Sequence, residues 1–267
     1  MPELPEVEHT RRTLARWLPG GVIDAVHVPD PRILDAGATP AAVGRQLVGR
    51  RLGTVERRGK WLRVALDRGV LFSHLGMTGR WVRPEGDEEV RFAKVELRLT
   101  RRGSTRRVVY ADARLLGRFV VADRDIAAWT SLGPDPLHDG IDPDVLAAAL
   151  ARRSGPIKPV LLDQAVLAGI GNIQATEGLF FARVDPRRPA RDLSRREVGA
   201  LARGLLRSIE ETMAGQEKEL AYVNEAGSDN PFTIYGREGT RCPRCREPLA
   251  KIVLGGRGTV FCPGCQR

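Results

Sequence analysis

The 267-residue chain has no long uncharged apolar run, which excludes a membrane-spanning helix as a reading. Its start, MPELPEVEHTRRT, lacks the basic stretch and apolar core of a secretory signal. Cysteine is scarce: four residues, at 242, 245, 262 and 265, with none before them. A disulfide framework spread over the fold is therefore excluded. The clustering points instead to a metal site in a reducing compartment, so a cytoplasmic protein is expected, nucleoid-associated in a bacterium. No internal repeat is visible. What remains is a chain long enough for one large domain or two ordinary ones, each with its own hydrophobic core.

Acidic residues are outnumbered, with 33 Asp and Glu against 43 Lys and Arg and a pI near 10.2. Such a bias suits a polyanionic partner, of which nucleic acid is the commonest, but an Arg-rich solubilising surface has the same composition. Motifs have to decide between the two.

Residues 5–18 read as an amphipathic helix. Pro5 suits a first helical position, Glu6 and Glu8 complement its positive end, and Val7, Leu14 and Leu18 recur at helical spacing. Period-two segments follow. KWLRVALD sets Leu62, Val64 and Leu66 on one face, and KVELRL does the same with Val95, Leu97 and Leu99. VLFSHLGMTGRWV and RRVVYADARLLGRFVV read as further strands broken by turns. The Pro-, Gly- and Asp-rich stretch SLGPDPLHDGIDPD reads as a linker, after which the period becomes helical. DVLAAALARR and IKPVLLDQAVLAGI are helix-like, and Ser194 with Glu197 forms a capping box ahead of Val198, Leu201, Leu205 and Ile209. Residues 215–231 read as a loop. The expected fold is α+β and multi-domain: an N-terminal β-sandwich with one N-terminal helix over 1–130, a linker over 131–144, a helical domain over 145–234 and a four-cysteine zinc finger over 235–267.

Cys242, Cys245, Cys262 and Cys265 form two C-x2-C knuckles separated by sixteen residues. Four thiolates make the closed tetrahedral shell of one structural Zn2+, with no position left for catalytic water. Unpaired thiols or a redox pair are the alternative. Between the knuckles, KIVLGGRGTVF reads as a hairpin with Gly255-Gly256-Arg257-Gly258 at its tip. This turn would present Arg257 for bidentate phosphate contact, or simply to solvent.

At the other end, a small residue after Met1 permits methionine removal, leaving Pro2 as a secondary amine. A terminal amine titrates at about 7.7–8.0, so roughly a tenth is deprotonated at neutral pH, far more than for lysine. Proline's ring amine is somewhat more basic, and a helix beginning near Pro5 disfavours its ammonium form. Attack of such an amine on a sugar C1′ gives an iminium ion, which acidifies the C2′ proton and opens β-elimination. Glu3 is the adjacent proton shuttle. Without context, MPELPE reads equally as an ordinary chain start.

MPELPEVE, RRGKWL, HLGMTGR, DARLLGRF, the GIGN stretch and the four-cysteine finger occur in order along essentially the whole chain. Together they resemble the formamidopyrimidine-DNA glycosylase and endonuclease VIII family, and PELPEVE is nearer the formamidopyrimidine branch. The resemblance implies a bifunctional glycosylase and abasic-site lyase of base excision repair acting on damaged double-stranded DNA, as a monomer. Pro2 would be the Schiff-base nucleophile and Glu3 the acid/base. Lys60 would contact the lesion-side phosphate and assist catalysis, and Glu6 would have a supporting part. The helical region becomes a helix–two-turn–helix module in which GIGN lets backbone N–H groups and Asn172 hold a phosphate. Lys158 and Arg257 become further phosphate contacts. Met77, Arg114 and Leu116 would fill the gap left by the extruded nucleotide.

The sequence departs from the family pattern in places. Leu116 stands where the formamidopyrimidine branch usually has Phe, Gln174 replaces an aromatic, and Phe92 and Lys94 stand where many relatives carry histidines. The loop QEKELAYVNEAGSDNPF also looks unlike the usual version. Oxidised purines are the first expectation for substrate, and oxidised pyrimidines or bulky adducts the second. A non-catalytic damage-binding protein is the rival from another class.

Overall fold

The computed structural model describes residues 2–218 and 230–267, with side chains omitted for 216–218. It divides into two compact units. The first holds Pro2 and Val7–Thr130, and the second holds Glu3–Glu6 and Ser131–Arg267. Residues 3–6 thus belong to a unit whose remainder lies more than a hundred positions later.

In the first unit, α1 (Leu4–Trp17) leads into β1 (Val22–His27), α2 (Pro40–Leu47), β2 (Leu52–Arg58), β3 (Trp61–Leu66), β4 (Val70–His74), β5 (Arg80–Val82), β6 (Ala93–Arg101), β7 (Ser104–Ala111), β8 (Arg118–Ala122) and a short α3 (Ala127–Thr130). The strands form two antiparallel four-stranded sheets, ordered β1-β6-β7-β5 and β2-β3-β4-β8. One apolar cluster joins their inner faces. Ile23, Trp81, Val95, Leu97, Leu99, Val108 and Tyr110 come from one sheet, and Leu52, Leu62, Val64, Leu71 and Phe119 from the other. Val7, Leu14 and Leu18 seal the cluster, so the alternation read from the sequence matches the faces that are buried. The sandwich carries a second substantial helix beyond the single one expected. Thr39 caps α2 through its hydroxyl to the Ala42 N–H, Pro40 starts it, and Val43 and Leu47 are its only buried side chains. Two apolar positions in eight residues give too faint a period to read in advance.

In the second unit, α4 (Pro143–Ala151), α5 (Ile157–Leu161), α6 (Asn172–Ala182) and α7 (Arg195–Lys218) pack around a separate cluster that includes Leu4. The capping box is formed: Ser194 N–H donates to Glu197 Oε2 at 2.8 Å, and Glu197 N–H donates to Ser194 Oγ at 3.4 Å. IKPVLLDQAVLAGI is not one helix. It winds out of helix after Leu161 because polar side chains bind the backbone there: Asp163 accepts the Ala165 N–H, and Gln164 binds Gly169 N–H and the Leu162 and Ile170 carbonyls. Helix α7 runs to Lys218, past the expected loop start at 215; most of that loop lies outside the described residues. The hairpin of β9 (Ala250–Leu254) and β10 (Arg257–Phe261) belongs to the finger, whose small core is Cys242, Cys262, Ile234, Leu249, Val260 and Phe180. Among the described residues, no helix is long and apolar enough to cross a membrane.

Candidate DNA-repair site

In the second unit the N-terminal residues meet the start of α6. Gly171 precedes the helix without a side chain to cap it, which leaves the first backbone donors open. Glu3 fills the role from 170 residues away. Its Oε1 accepts the Ile173 N–H at 2.8 Å and its Oε2 accepts the Gln174 N–H at 3.0 Å, in a fully buried setting. A carboxylate on two donors at the positive end of a helix is a strong and directional contact. The glycines of GIGN serve this arrangement. A Cβ on Gly171 would lie 2.2 Å from Glu3 Cδ, and one on Gly169 would lie 2.8 Å from Leu4 Cβ. Gly169 also accepts the Leu4 N–H at 3.1 Å. Of the N–H groups at this helix start, those of Ile173 and Gln174 hold a carboxylate of the chain itself. Nearby, Glu6 accepts the Glu3 N–H at 2.8 Å, and burial together with the charge of Glu3 pushes its carboxyl up to about 7.

Lys158 and Asn172 converge on the finger. Lys158 is wholly buried, and its Nζ donates to the Gly258 carbonyl at 3.1 Å and to Thr259 Oγ1 at 2.7 Å. Burial, with Arg257 nearby, brings its ammonium down to about 8 against the opposing pull of Glu3. Asn172 Nδ2 donates to the same Gly258 carbonyl at 3.2 Å. The hairpin tip is the pair Gly255–Gly256, both with positive φ, closed by Leu254 opposite Arg257. Arg257 is thus the first strand residue after the turn, and it is exposed. Gln174 is buried between α6 and α7, accepting from Ser208 Oγ at 2.6 Å and donating to Thr212 Oγ1 at 3.0 Å, so its replacement of an aromatic is a matter of helix packing. The Sγ atoms of Cys242, Cys245, Cys262 and Cys265 lie within 4.8 Å of one another. Ligands about 2.3 Å from a tetrahedral Zn2+ sit about 3.8 Å apart, so the donor set fits one structural zinc ion.

The first unit gathers Met77, Arg114 and Leu116 on two interlocked loops, β4–β5 and β7–β8. Their hub is Asp112, wholly buried, a residue the sequence reading missed. Its carboxylate accepts the Arg114 N–H at 3.1 Å, the Gly117 N–H at 2.8 Å and the Thr78 hydroxyl. Tyr110 donates to the His74 carbonyl at 2.9 Å, and a Cβ on Gly117 would lie 1.9 Å from that phenolic oxygen. Leu116 is left 48 % exposed, and Arg114 is exposed as well. An Asp two residues before a backbone N–H it binds is a local turn signal, and it was available in DARLLG.

Lys60 follows Gly59 in the β2–β3 turn. Buried Arg57, also missed from the sequence, donates to the Gly59 carbonyl at 3.0 Å and to buried Glu8 at 3.2 Å, tying that turn to α1. His74 accepts the Gly76 N–H at Nδ1 (3.0 Å). Burial, then the charges of Lys60 and Arg118, holds its ring down at about 4, so it is neutral at physiological pH. The structure therefore brings Glu3, Lys158, Asn172 and Arg257 together in one unit and Met77, Arg114 and Leu116 in the other, which also contains Pro2 and Lys60.

Three family models cover most of the chain: the formamidopyrimidine-DNA glycosylase N-terminal domain over 1–119, the formamidopyrimidine-DNA glycosylase H2TH domain over 132–221, and the zinc finger found in FPG and IleRS over 239–267. The formamidopyrimidine-DNA glycosylase of Geobacillus kaustophilus is 38% identical over 276 residues, covering 100% of both chains. That of Moorella thermoacetica is 42% identical over 263 residues, covering 94% of each. Among solved structures, the Lactococcus lactis enzyme in complex with DNA containing a formamidopyrimidine lesion has a TM-score of 0.87 at 27% identity, covering 99% of this chain and 100% of that one. The Thermus thermophilus protein has a TM-score of 0.81 at 34% identity, covering 99% and 98%.

Proposed function

The chain belongs to the formamidopyrimidine-DNA glycosylase family, and we propose that it is a bifunctional DNA glycosylase and abasic-site lyase of base excision repair whose nucleophile is Pro2. The placement of Glu3 carries the reading. A buried carboxylate clamped by two backbone donors, one residue from a terminal amine, is an expensive arrangement for a chain start with no chemical task. With Met1 removed, the Pro2 nitrogen attacks C1′ of the damaged nucleotide. The C1′–N bond to the base breaks, and the base leaves with the bonding pair and takes up a proton. The Pro2 nitrogen gives up its proton, its lone pair opens the sugar ring at C1′–O4′, and O4′ takes up a proton, so that C1′ becomes an iminium carbon and C2′–H becomes acidic. Loss of that proton expels the 3′ phosphate, and a second elimination expels the 5′ phosphate, leaving a one-nucleotide gap. Glu3 moves the protons, and its fixed orientation removes the entropic cost of finding the reacting atoms.

Lys60, Lys158, Asn172 and Arg257 act as backbone contacts, and Met77, Arg114 and Leu116 occupy the space of the extruded nucleotide. Lys158 and Asn172 spend donors on the Gly258 carbonyl, so part of their contribution is to seat the finger strand that carries Arg257. The Zn2+ would be held by Cys242, Cys245, Cys262 and Cys265, and it supplies folding of the finger, not chemistry. Oxidised purines are the substrate class we assign, handled by a cytoplasmic monomer organised as 1–130, 131–144, 145–234 and 235–267.

Borohydride trapping on duplex DNA with an abasic site tests the mechanism. The processed protein should form a covalent adduct, and a version with an uncleavable N-terminal extension should bind the DNA without forming one. Binding by correctly processed protein with no adduct would refute it and favour a damage-binding role.

A further inference from the structure

Phe92 is out of place by three independent measures. It is the one aromatic among the large exposed apolar side chains of the described residues, 44 % exposed, and it packs into none of the apolar clusters. Its φ is 63°, a left-handed conformation that suits glycine and strains a bulky side chain. Its carbonyl accepts the Asp112 N–H at 3.0 Å, which fastens Phe92 to the residue that organises Arg114, Gly117 and Thr78. The left-handed turn explains the carbonyl, but glycine or asparagine would supply it with less strain. It does not explain the ring.

The ring lies against the guanidinium of Arg91, whose Cζ is 4.6 Å from its centroid. Together they make a flat, positively charged aromatic platform beside the loop that carries Leu116. Leu116 is an aliphatic residue, able to wedge a base step but unable to stack on a base. We propose that Phe92, backed by Arg91, is a substrate-contacting residue that stacks on the base left unpaired opposite the lesion. Aromatic side chains stack on any base, and a guanidinium on the far face strengthens the platform beside a phosphate chain. The inference rests on the proposed glycosylase function and adds to it a determinant of opposite-base preference. Its strain fits a position where an outside partner, not the fold, repays the conformation.

The test uses a duplex carrying a tetrahydrofuran abasic analogue with 2-aminopurine opposite it. Wild type should quench the 2-aminopurine emission on binding. Phe92→Gly should keep the wild-type melting temperature, because glycine favours this φ. It should lose the quenching and bind the analogue about tenfold more weakly, in line with ~1–3 kcal/mol per stacked base. Phe92→Tyr should restore both. Wild-type quenching and affinity in Phe92→Gly would overturn the proposal, as would an Arg91→Gln protein that loses affinity while Phe92→Gly keeps it, which would reveal a backbone contact. If wild type itself gives no borohydride adduct, the parent reading has failed, and that arm does not depend on Phe92.

Discussion

Replacing Gly171 by Ala tests whether GIGN exists to admit Glu3. The new Cβ would lie 2.2 Å from Glu3 Cδ and 2.4 Å from Oε1, so the carboxylate must leave its two donors or α6 must shift. Hydrogen bonds to a charged group contribute about 1.5–3 kcal/mol each, so losing both costs about 3–6 kcal/mol. Rehydration of the freed N–H groups and the reduced flexibility of the unfolded chain offset about 1 kcal/mol of this. A net loss of about 2–5 kcal/mol lowers the melting temperature by roughly 10 °C at ~2–4 °C per kcal/mol. Calorimetry reads the first effect and the borohydride trapping rate the second, since a displaced Glu3 no longer serves Pro2. The control is Gly199→Ala within α7, where the nearest outside atom is Arg203 Nη1 at 3.6 Å. That change should stabilise by about 0.5–1 kcal/mol. A Gly171→Ala protein that melts within a degree of wild type and traps at its rate would refute the reasoning.

Other consequences are open to direct measurement. Arg257→Ala should weaken binding to many DNA sequences alike and lower the salt slope by about one; an unchanged slope in a salt titration removes the phosphate contact. Asp112→Asn exchanges one acceptor oxygen for a donor facing N–H groups and should destabilise the first unit by about 1–3 kcal/mol, with weakened capture of lesion DNA, read by chemical denaturation and gel shift. Chelating zinc should unfold the finger and abolish DNA binding, because Lys158 and Asn172 lose their shared Gly258 acceptor, and added Zn2+ should restore it. For Glu6, the folded carboxyl titrates near 7 against 4.5 unfolded. The folded chain therefore holds the extra proton between these values, and stability falls as pH rises across that window. Glu6→Gln should remove that component of the slope in melts taken from pH 4.5 to 7.

The finger, the sandwich faces and the α7 cap were legible in the sequence because their signals are local: cysteines three apart, alternation with a period of two, and a cap three residues from its partner. What escaped depends on distance. Nothing near Gly171 announces a carboxylate 168 positions earlier. Likewise nothing beside Arg57 announces its partner Glu8, 49 positions earlier. Asp112 is the exception, since its Asx turn is local and its signal lies within DARLLG itself. The glutamate clamp also bears on how substitutions are read. Glu3→Gln removes a proton carrier and at the same time turns an amide N–H2 toward an N–H donor, so its effect would join chemistry with lost geometry.

The long reach between Glu3 and α6 also orders events during synthesis. Residues 173 and 174 must leave the ribosome before Glu3 has anything to grip, so the start of the chain stays open while most of the first unit is made. Once the clamp closes, Pro2 and Glu3 are both buried. A methionine aminopeptidase therefore has its access to the Met1–Pro2 bond in the interval before closure. Protein made faster than that peptidase can follow would keep Met1. Such molecules would share the fold of their neighbours and lack their amine, and overexpressed preparations would hold two populations that only a mass measurement of the intact chain tells apart.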